Sequence, residues 1–180
     1  MRVISGSAKG RRLDAPKGMT TRPTADRVKE GLFSAIQFEI EGSRVLDLFA
    51  GSGQLAIEAL SRGAREAVLV DRDAEAIRVI RQNLSQTGFS DKARVVRADY
   101  LQFLKSAGEA YDLIFLDPPY AETDLATALK CISEFDILRD NGIIICEKAK
   151  EGSLSASFPG LRQERTYRYG NVEVLLYRKE

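Results

Sequence analysis

Three observations predict an α/β fold with a mostly parallel sheet. From residue 44 onward, short apolar runs alternate with segments of helical periodicity, as repeated strand–helix–strand units require. Glycines at 63 and 88 stop two of the helical segments. The tail abandons this rhythm, and residues 166–169 and 172–177 flank Gly170-Asn171 as an antiparallel hairpin with a two-residue turn.

In chain order, residues 2–5 and 11–13 flank a glycine-containing turn and can pair as a small hairpin. Thr24 is placed to cap a helix running to about Phe38, with Val28, Leu32, Ala35 and Ile36 on one face. Strands are expected at 45–49, 67–70, 93–98, 111–116 and 143–146. Helices are expected at 54–62, closed by Gly63, and at 74–87, with Asp73 as N-cap, an Ile77/Ile80/Leu84 stripe and Gly88 as stop. Leu125, Ala128, Leu129 and Ile132 give one more helical face. The whole chain, 1–180, reads as one domain: a core over 44–180 and an N-terminal hairpin-and-helix extension over 1–43.

Composition narrows the chemistry. The chain is 44% apolar and 29% charged, the balance of a water-soluble globular protein, and no apolar run approaches a membrane span or a signal-peptide core. Cys131 and Cys146 form no CxxC pair and read as reduced thiols of a cytoplasmic protein. There is no histidine, which removes His-based acid–base chemistry and every His-containing metal site. Net charge is +1 but uneven. Residues 1–30 carry eight basic and three acidic side chains, net +5; the other residues carry 19 and 23, net −4. A basic head on a slightly acidic body suits a polyanionic partner, or equally an ordinary solvated arm.

"VLDLFAGSGQLA" (45–56) reads as a strand, a glycine turn and a helix start. Gly51 and Gly53 let backbone approach a ligand closely, and the following helix N-terminus offers free N–H groups. Asp71 ends the next strand, placed to accept both hydroxyls of a ribose. Asp99 ends the third, placed to accept from an exocyclic amine such as that of adenine. Ligands of open α/β sheets bind at such strand ends. Each feature also has a plain structural alternative, since glycines make tight turns and strand-end acids cap helices. Together they indicate an adenosine-containing cofactor, without separating NAD from S-adenosyl-L-methionine. Phe49, Arg72 and Tyr100, beside these positions, complete the expected cofactor contacts.

"DPPY" (117–120) makes that separation. The Pro118-Pro119 pair fixes the direction of the Pro118 carbonyl, with no competing N–H nearby. Asp117 adds a second acceptor. Two acceptors at fixed spacing hold both hydrogens of a planar amino group and aim the nitrogen lone pair at an activated methyl. Tyr120 is placed to stack on the base, worth roughly 1–3 kcal/mol. A nicotinamide dehydrogenase has no need of this arrangement.

"DLFAGSG" (47–53) and "DPPY" resemble the amino-group-directed, S-adenosyl-L-methionine-dependent methyltransferases of the Rossmann-like class I fold. "RVISGSAKGRRL" (2–13), "TRPTADRVKEGLF" (21–33) and the tail hairpin resemble, within them, the RsmD family of bacterial 16S ribosomal RNA guanine-N2 methyltransferases. The resemblance spans essentially the whole chain. It implies a seven-stranded sheet with an antiparallel last strand and S-adenosyl-L-methionine as cofactor. Asp47 would hold the cofactor's amino group, Gly51 and Gly53 would lie against its methionine portion, Asp71 on ribose and Asp99 on adenine. Asp117, Pro118, Pro119 and Tyr120 would form the catalytic set. The partner it implies is 16S ribosomal RNA in an assembling small subunit, met by a monomer without metal or membrane. Arg2, Lys9, Arg11, Arg12, Arg22, Arg27 and Lys29 would form the RNA-facing surface beside the active-site mouth, with segment 21–24 lying across the cleft as a partial lid. An adenine-N6 methyltransferase shares DPPY and stays open from the residues alone, as does a non-catalytic RNA-binding or assembly factor.

Overall fold

Five apolar runs become the parallel half of one sheet. The computed structural model describes residues 1–18, 24–119, 122–155 and 157–180. Its strands are β1 (Arg44–Asp47), β2 (Glu66–Asp71), β3 (Ala93–Arg97), β4 (Tyr111–Leu116), β5 (Leu138–Ala149), β6 (Ser157–Phe158), β7 (Leu161–Tyr169) and β8 (Val172–Lys179). They lie in the order β3-β2-β1-β4-β5-β8-β7-β6. The first five are parallel, and β8, β7 and β6 each run antiparallel to the neighbour before. The helices are α1 (Thr24–Ala35), α2 (Gln54–Ser61), α3 (Ala74–Thr87), α4 (Tyr100–Ser106) and α5 (Glu122–Glu134).

The period-two alternation of β4 divides the core. Leu113 and Phe115 join a cluster with Val28, Leu32 and Phe33 of α1 and Ile57 of α2. Ile114 and Leu116 join a second cluster on the other face with Leu125, Leu129 and Ile132 of α5. Burial on both faces is what a parallel sheet with crossover helices demands. Phe115 is fully buried 5.6 Å from the Phe33 ring, so Phe115→Ala is a change of the class that costs roughly 3–5 kcal/mol. Val3, Ala8 and Leu13 of the N-terminal segment belong to the first cluster too. Cys131 and Cys146 are free thiols, and no helix among the described residues is long and apolar enough to cross a membrane.

Several boundaries differ from the sequence expectation. Among the described residues the sheet has eight strands, because the two-residue β6 adds an edge too short to leave a pattern. β5 is twelve residues long: its polar start carries Asn141 at φ 63, and its end is held by antiparallel pairing with β8. α1 stops at Ala35, where Ile36 turns into the core. β1 ends at Asp47, two residues early, and α2 ends at Ser61 with Arg62 as its cap. α4 was not foreseen: only Phe103 and Leu104 of its seven residues are buried, too few to make a stripe. The N-terminal hairpin reduces to a single Arg2–Arg12 bridge with turn hydrogen bonds. α3 and β4 match residue for residue. Asp73 caps α3 by accepting from Ala76 N at 2.9 Å, and Gly88 closes it at φ 81.

Candidate active site

The strand order reverses between β1 and β4. β1 leads outward to β2 and β3, and the chain then returns to place β4 on the other side of β1. A crevice opens beyond the C-terminal ends of the two strands at such a switch point. After β1 the backbone threads it, with Leu48 N donating to Phe115 O at 3.2 Å and Ala50 N to Val70 O at 2.9 Å. The turn that follows is tight, Gly53 N donating to Ala50 O at 2.6 Å. Gly53 needs to be glycine on two counts: its φ is 79, and an added Cβ would stand 3.0 Å from Leu69 Cδ2.

A cavity of about 450 Å³ occupies the crevice. From the expected cofactor set it is lined by Asp47, Phe49, Gly51, Asp71, Arg72, Asp99 and Tyr100, and from the expected catalytic set by Asp117 and Pro119. Gly53 shapes the loop from behind. Pro118 is half-buried beside Asp117. Tyr120 lies outside the described residues.

Asp47 is 1% exposed. Its Oδ2 accepts from Ala56 N in the first turn of α2 at 3.3 Å, and its Oδ1 has no partner among the described residues. Burial, and secondarily the charge of Asp71, pushes its carboxyl up to about 7, against the pull of the Ala56 N–H. An acid this buried with an open oxygen is suited to a cationic donor. Gln54 Oε1 is likewise buried without a partner among the described residues, at the same wall.

Asp71 braces the loop: Oδ2 accepts from Gly51 N and Oδ1 from Asp73 N, each at 2.9 Å. Each oxygen retains a further acceptor site for a diol. Asp99 caps α4, accepting from Leu101 N at 2.9 Å and Gln102 N at 3.4 Å, both through Oδ1. The Phe49 and Tyr100 rings meet at 5.0 Å, tilted by 48°, and form the apolar wall. The Tyr100 hydroxyl donates to Asp124 at 3.0 Å; burial first, then this carboxylate, raises it to about 12.

Asp124, Gln54 and Leu55 line the cavity and were missed from sequence. Asp124 follows DPPY by seven residues, counted from Asp117, in the first turn of α5, where an acid reads as an ordinary helix-start residue. Gln54 directly follows the glycine turn, and that adjacency was its only signal.

The described basic residues of the head do not all lie on the surface. Lys29 is a correction: it is 3% exposed, donates to Arg2 O at 2.6 Å and pairs with buried Glu58 at 3.5 Å. Glu58 also accepts from Ile4 N and Ser5 N and pairs with Arg62 at 2.9 Å. Burial lowers the Lys29 ammonium, opposed by Glu58. This cluster fastens the N-terminal segment to α1 and α2. Arg2 is exposed and pairs with Asp26 at 3.4 Å. Lys9, Arg11, Arg12 and Arg27 are exposed. The segment runs along α2, from Met1 beside Ser52 at the mouth to the Lys9 turn at Ser61, so Lys9 lies a helix length from the mouth. Arg22 and most of segment 21–24 lie outside the described residues.

A family model described as conserved hypothetical protein 95 matches residues 1–178. The chain is 44% identical to the Bacillus subtilis protein YlbH, a candidate rRNA methyltransferase, with 99% of each chain covered. It is 34% identical to ribosomal RNA small subunit methyltransferase D of Escherichia coli, over all of this chain and 90% of that one. A solved Escherichia coli structure described as a candidate methyltransferase, YhhF, superposes with a TM-score of 0.87 at 34% identity, covering 100% and 98% of the two chains. Matched end to end by that family model and by these relatives, the chain belongs to the RsmD family, described as conserved hypothetical protein 95.

Proposed function

We propose that the chain methylates the exocyclic N2 amino group of a guanine in 16S ribosomal RNA, with S-adenosyl-L-methionine as donor. One observation carries this reading. A single cavity joins a buried carboxylate with an open oxygen, Asp47, to the Asp117-Pro118-Pro119 exit of β4. The relatives named for small-subunit ribosomal RNA methylation support the substrate class.

The residues fit the cofactor. Asp47 Oδ1 would take its ammonium group, which also favours the ionised form of that acid. Asp71 would accept from the ribose hydroxyls while still bracing Gly51. Asp99 would accept from the adenine amine, between the Phe49 and Tyr100 rings and Arg72. When bound, the cofactor supplies a methyl group already activated by a sulfonium. What remains for the chain is to position the acceptor, and positioning can account for roughly 7–11 kcal/mol of a barrier.

Asp117 and the Pro118 carbonyl would hold the two hydrogens of N2, with Pro119 locking that carbonyl and Tyr120 stacking on the base. The nitrogen lone pair, otherwise delocalised into the ring, is then directed into the cavity. The proton that N2 must lose lies against the Asp117 carboxylate. A guanine reaches this depth only when unstacked, which is easiest in a single-stranded loop. Arg11, Arg12, Arg27 and Arg2 would hold flanking phosphates.

The test is transfer of labelled methyl to undermodified small ribosomal subunits, followed by nucleoside analysis. N2-methylguanosine is the expected product. N6-methyladenosine, or no transfer by a protein that binds the cofactor, overturns the reading.

A further inference from the structure

Beside the large cavity lies a second one of about 60 Å³. The two share Gln54, Leu55 and Asp117, so the smaller adjoins the end of the site that holds Asp117, the residue proposed for the acceptor amine. Its remaining polar lining is Lys29 and Glu147; Leu32 and Ile145 are among its apolar walls. It is smaller than a purine. Only the edge of a base enters it, so the groups on that edge decide what fits.

Strand register brings Glu147 to this place. Leu116 of β4 faces Cys146 of β5; Asp117 directly follows the end of β4, and Glu147 is the next residue of β5. Phe115 and Ile145 lie in the same core cluster beneath α1 and α2. Side chains two residues further on return to that face, and these are Asp117 and Glu147. β5 continues to Ala149, paired there with β8, so Glu147 stands within a strand and not on a loop. Two carboxylates thus project side by side into one small cavity, with Gln54 Oε1, unpartnered among the described residues, on its wall.

Guanine offers two adjacent donor groups on one edge, the N2 amine and N1–H. Adenine offers its amine beside a bare N1 lone pair, which a carboxylate repels. Resting on the guanine-N2 reading above, we infer that Glu147 accepts the N1–H of the target base while Asp117 holds N2, so that Glu147 is the specificity-determining residue. A carboxylate accepts at about four sites, so a partner within the protein leaves room for the base.

2-Aminopurine probes this contact, because it keeps the 2-amino group and lacks the hydrogen at N1; it lacks O6 as well, so the Glu147 variants assign the preference. The experiment uses 16S RNA with guanine or 2-aminopurine at the methylated position, joined from transcripts and a synthetic piece and reconstituted into subunits. The wild-type enzyme should prefer guanine by roughly 10- to 100-fold in kcat/KM, the range for a hydrogen bond to a charged group. Glu147→Ala should lose that factor on guanine alone, so the preference collapses toward one. Glu147→Gln, whose amide can accept from N1–H or donate to a bare N1, should keep most guanine activity and gain on 2-aminopurine. Cofactor affinity, measured by calorimetry, should be unchanged in both variants and shows that they are folded.

An unaltered preference in Glu147→Ala overturns the inference, as does a wild-type enzyme indifferent to the two bases. Equal loss on both bases with the cofactor still bound also overturns it. These results leave the guanine-N2 reading standing, which fails only if the wild-type enzyme places no methyl on a guanine N2 of natural subunits.

Discussion

Replacing Asp47 with asparagine should make the free protein more stable and the cofactor complex weaker. Ionised Asp47 is disfavoured only in the folded chain, where burial lifts its carboxyl from the ordinary 3.8 to about 7. Between those values the folded state holds a proton that the unfolded state has released, so wild-type stability is lost as pH rises from about 4 through about 7. At about 1.4 kcal/mol for each tenfold change in proton affinity, the penalty above pH 7 reaches at most about 4 kcal/mol. An uncharged asparagine at this position would escape it while its amide oxygen still accepts from Ala56 N. Denaturant unfolding should therefore show D47N ahead of wild type at about pH 8, with the gap closing toward about pH 4. The same change removes the carboxylate proposed for the cofactor's ammonium, a loss of roughly 1.5–3 kcal/mol, or about 10- to 150-fold in affinity by calorimetry. Wild-type affinity should fall up to about tenfold per pH unit below about 7, as protons compete for Asp47. A stability difference between the two proteins that does not vary with pH, or an affinity unaffected by the substitution, refutes this account.

Asp117→Ala should cut single-turnover methylation by roughly 100- to 1,000-fold, the effect of losing one preorganised contact to the reacting group, and leave cofactor affinity near wild type. Lys29→Ala should destabilise the fold by roughly 1–3 kcal/mol in urea unfolding, because the Arg2 carbonyl loses its buried donor while Glu58 keeps Arg62 and the Ile4 and Ser5 N–H groups. Neutralising Arg11 and Arg12 together should weaken subunit binding and lower the slope of log affinity against log salt by roughly 1.4–1.8, with cofactor affinity intact. A cofactor analogue carrying an amine in place of the sulfonium should bind more tightly than S-adenosyl-L-homocysteine, whose sulfur is uncharged, since five carboxylates and one arginine line the cavity among the described residues. Equal affinities in calorimetry would remove electrostatic selection from the site.

Where sequence reading succeeded, one residue type had one physical job. Asp73 and Gly88 bracket α3 because a cap and a left-handed stop are local demands, met within three or four residues. β4 is legible end to end because both of its faces are buried and prolines terminate it. The misses are non-local. β5 extends past its apolar run because β8 supplies hydrogen bonds to Glu147–Ala149 that no pattern in β5 announces. Lys29 belongs to a basic segment and reads as surface, yet Glu58, 29 residues on, makes the interior habitable for it. α4 needed only a cap and two buried side chains, and its cap, Asp99, reads equally well as the acid that ends a strand.

The carboxylates of the site show how far a positional rule carries. Strand-end position points to Asp71 and Asp99, the DPPY motif to Asp117 and the family resemblance to Asp47, and the parallel strands bring all four to one edge and one cavity. Glu147 comes to the same edge from within a strand. It directly follows the apolar run 143–146, on the strand beside β4, and went unremarked because no motif contained it. Two of the four acids also have the plain role that competes with a functional one: Asp99 caps a helix and Asp71 braces a glycine loop. The two roles are compatible, since a carboxylate engaged by backbone N–H groups is held in place and still has lone pairs to offer. Asp47 differs, with one oxygen engaged, the other open among the described residues, and burial raising the cost of its charge. Sequence places such a residue at the strand end; only the packing around it shows a buried charge with an oxygen left for a cation to meet.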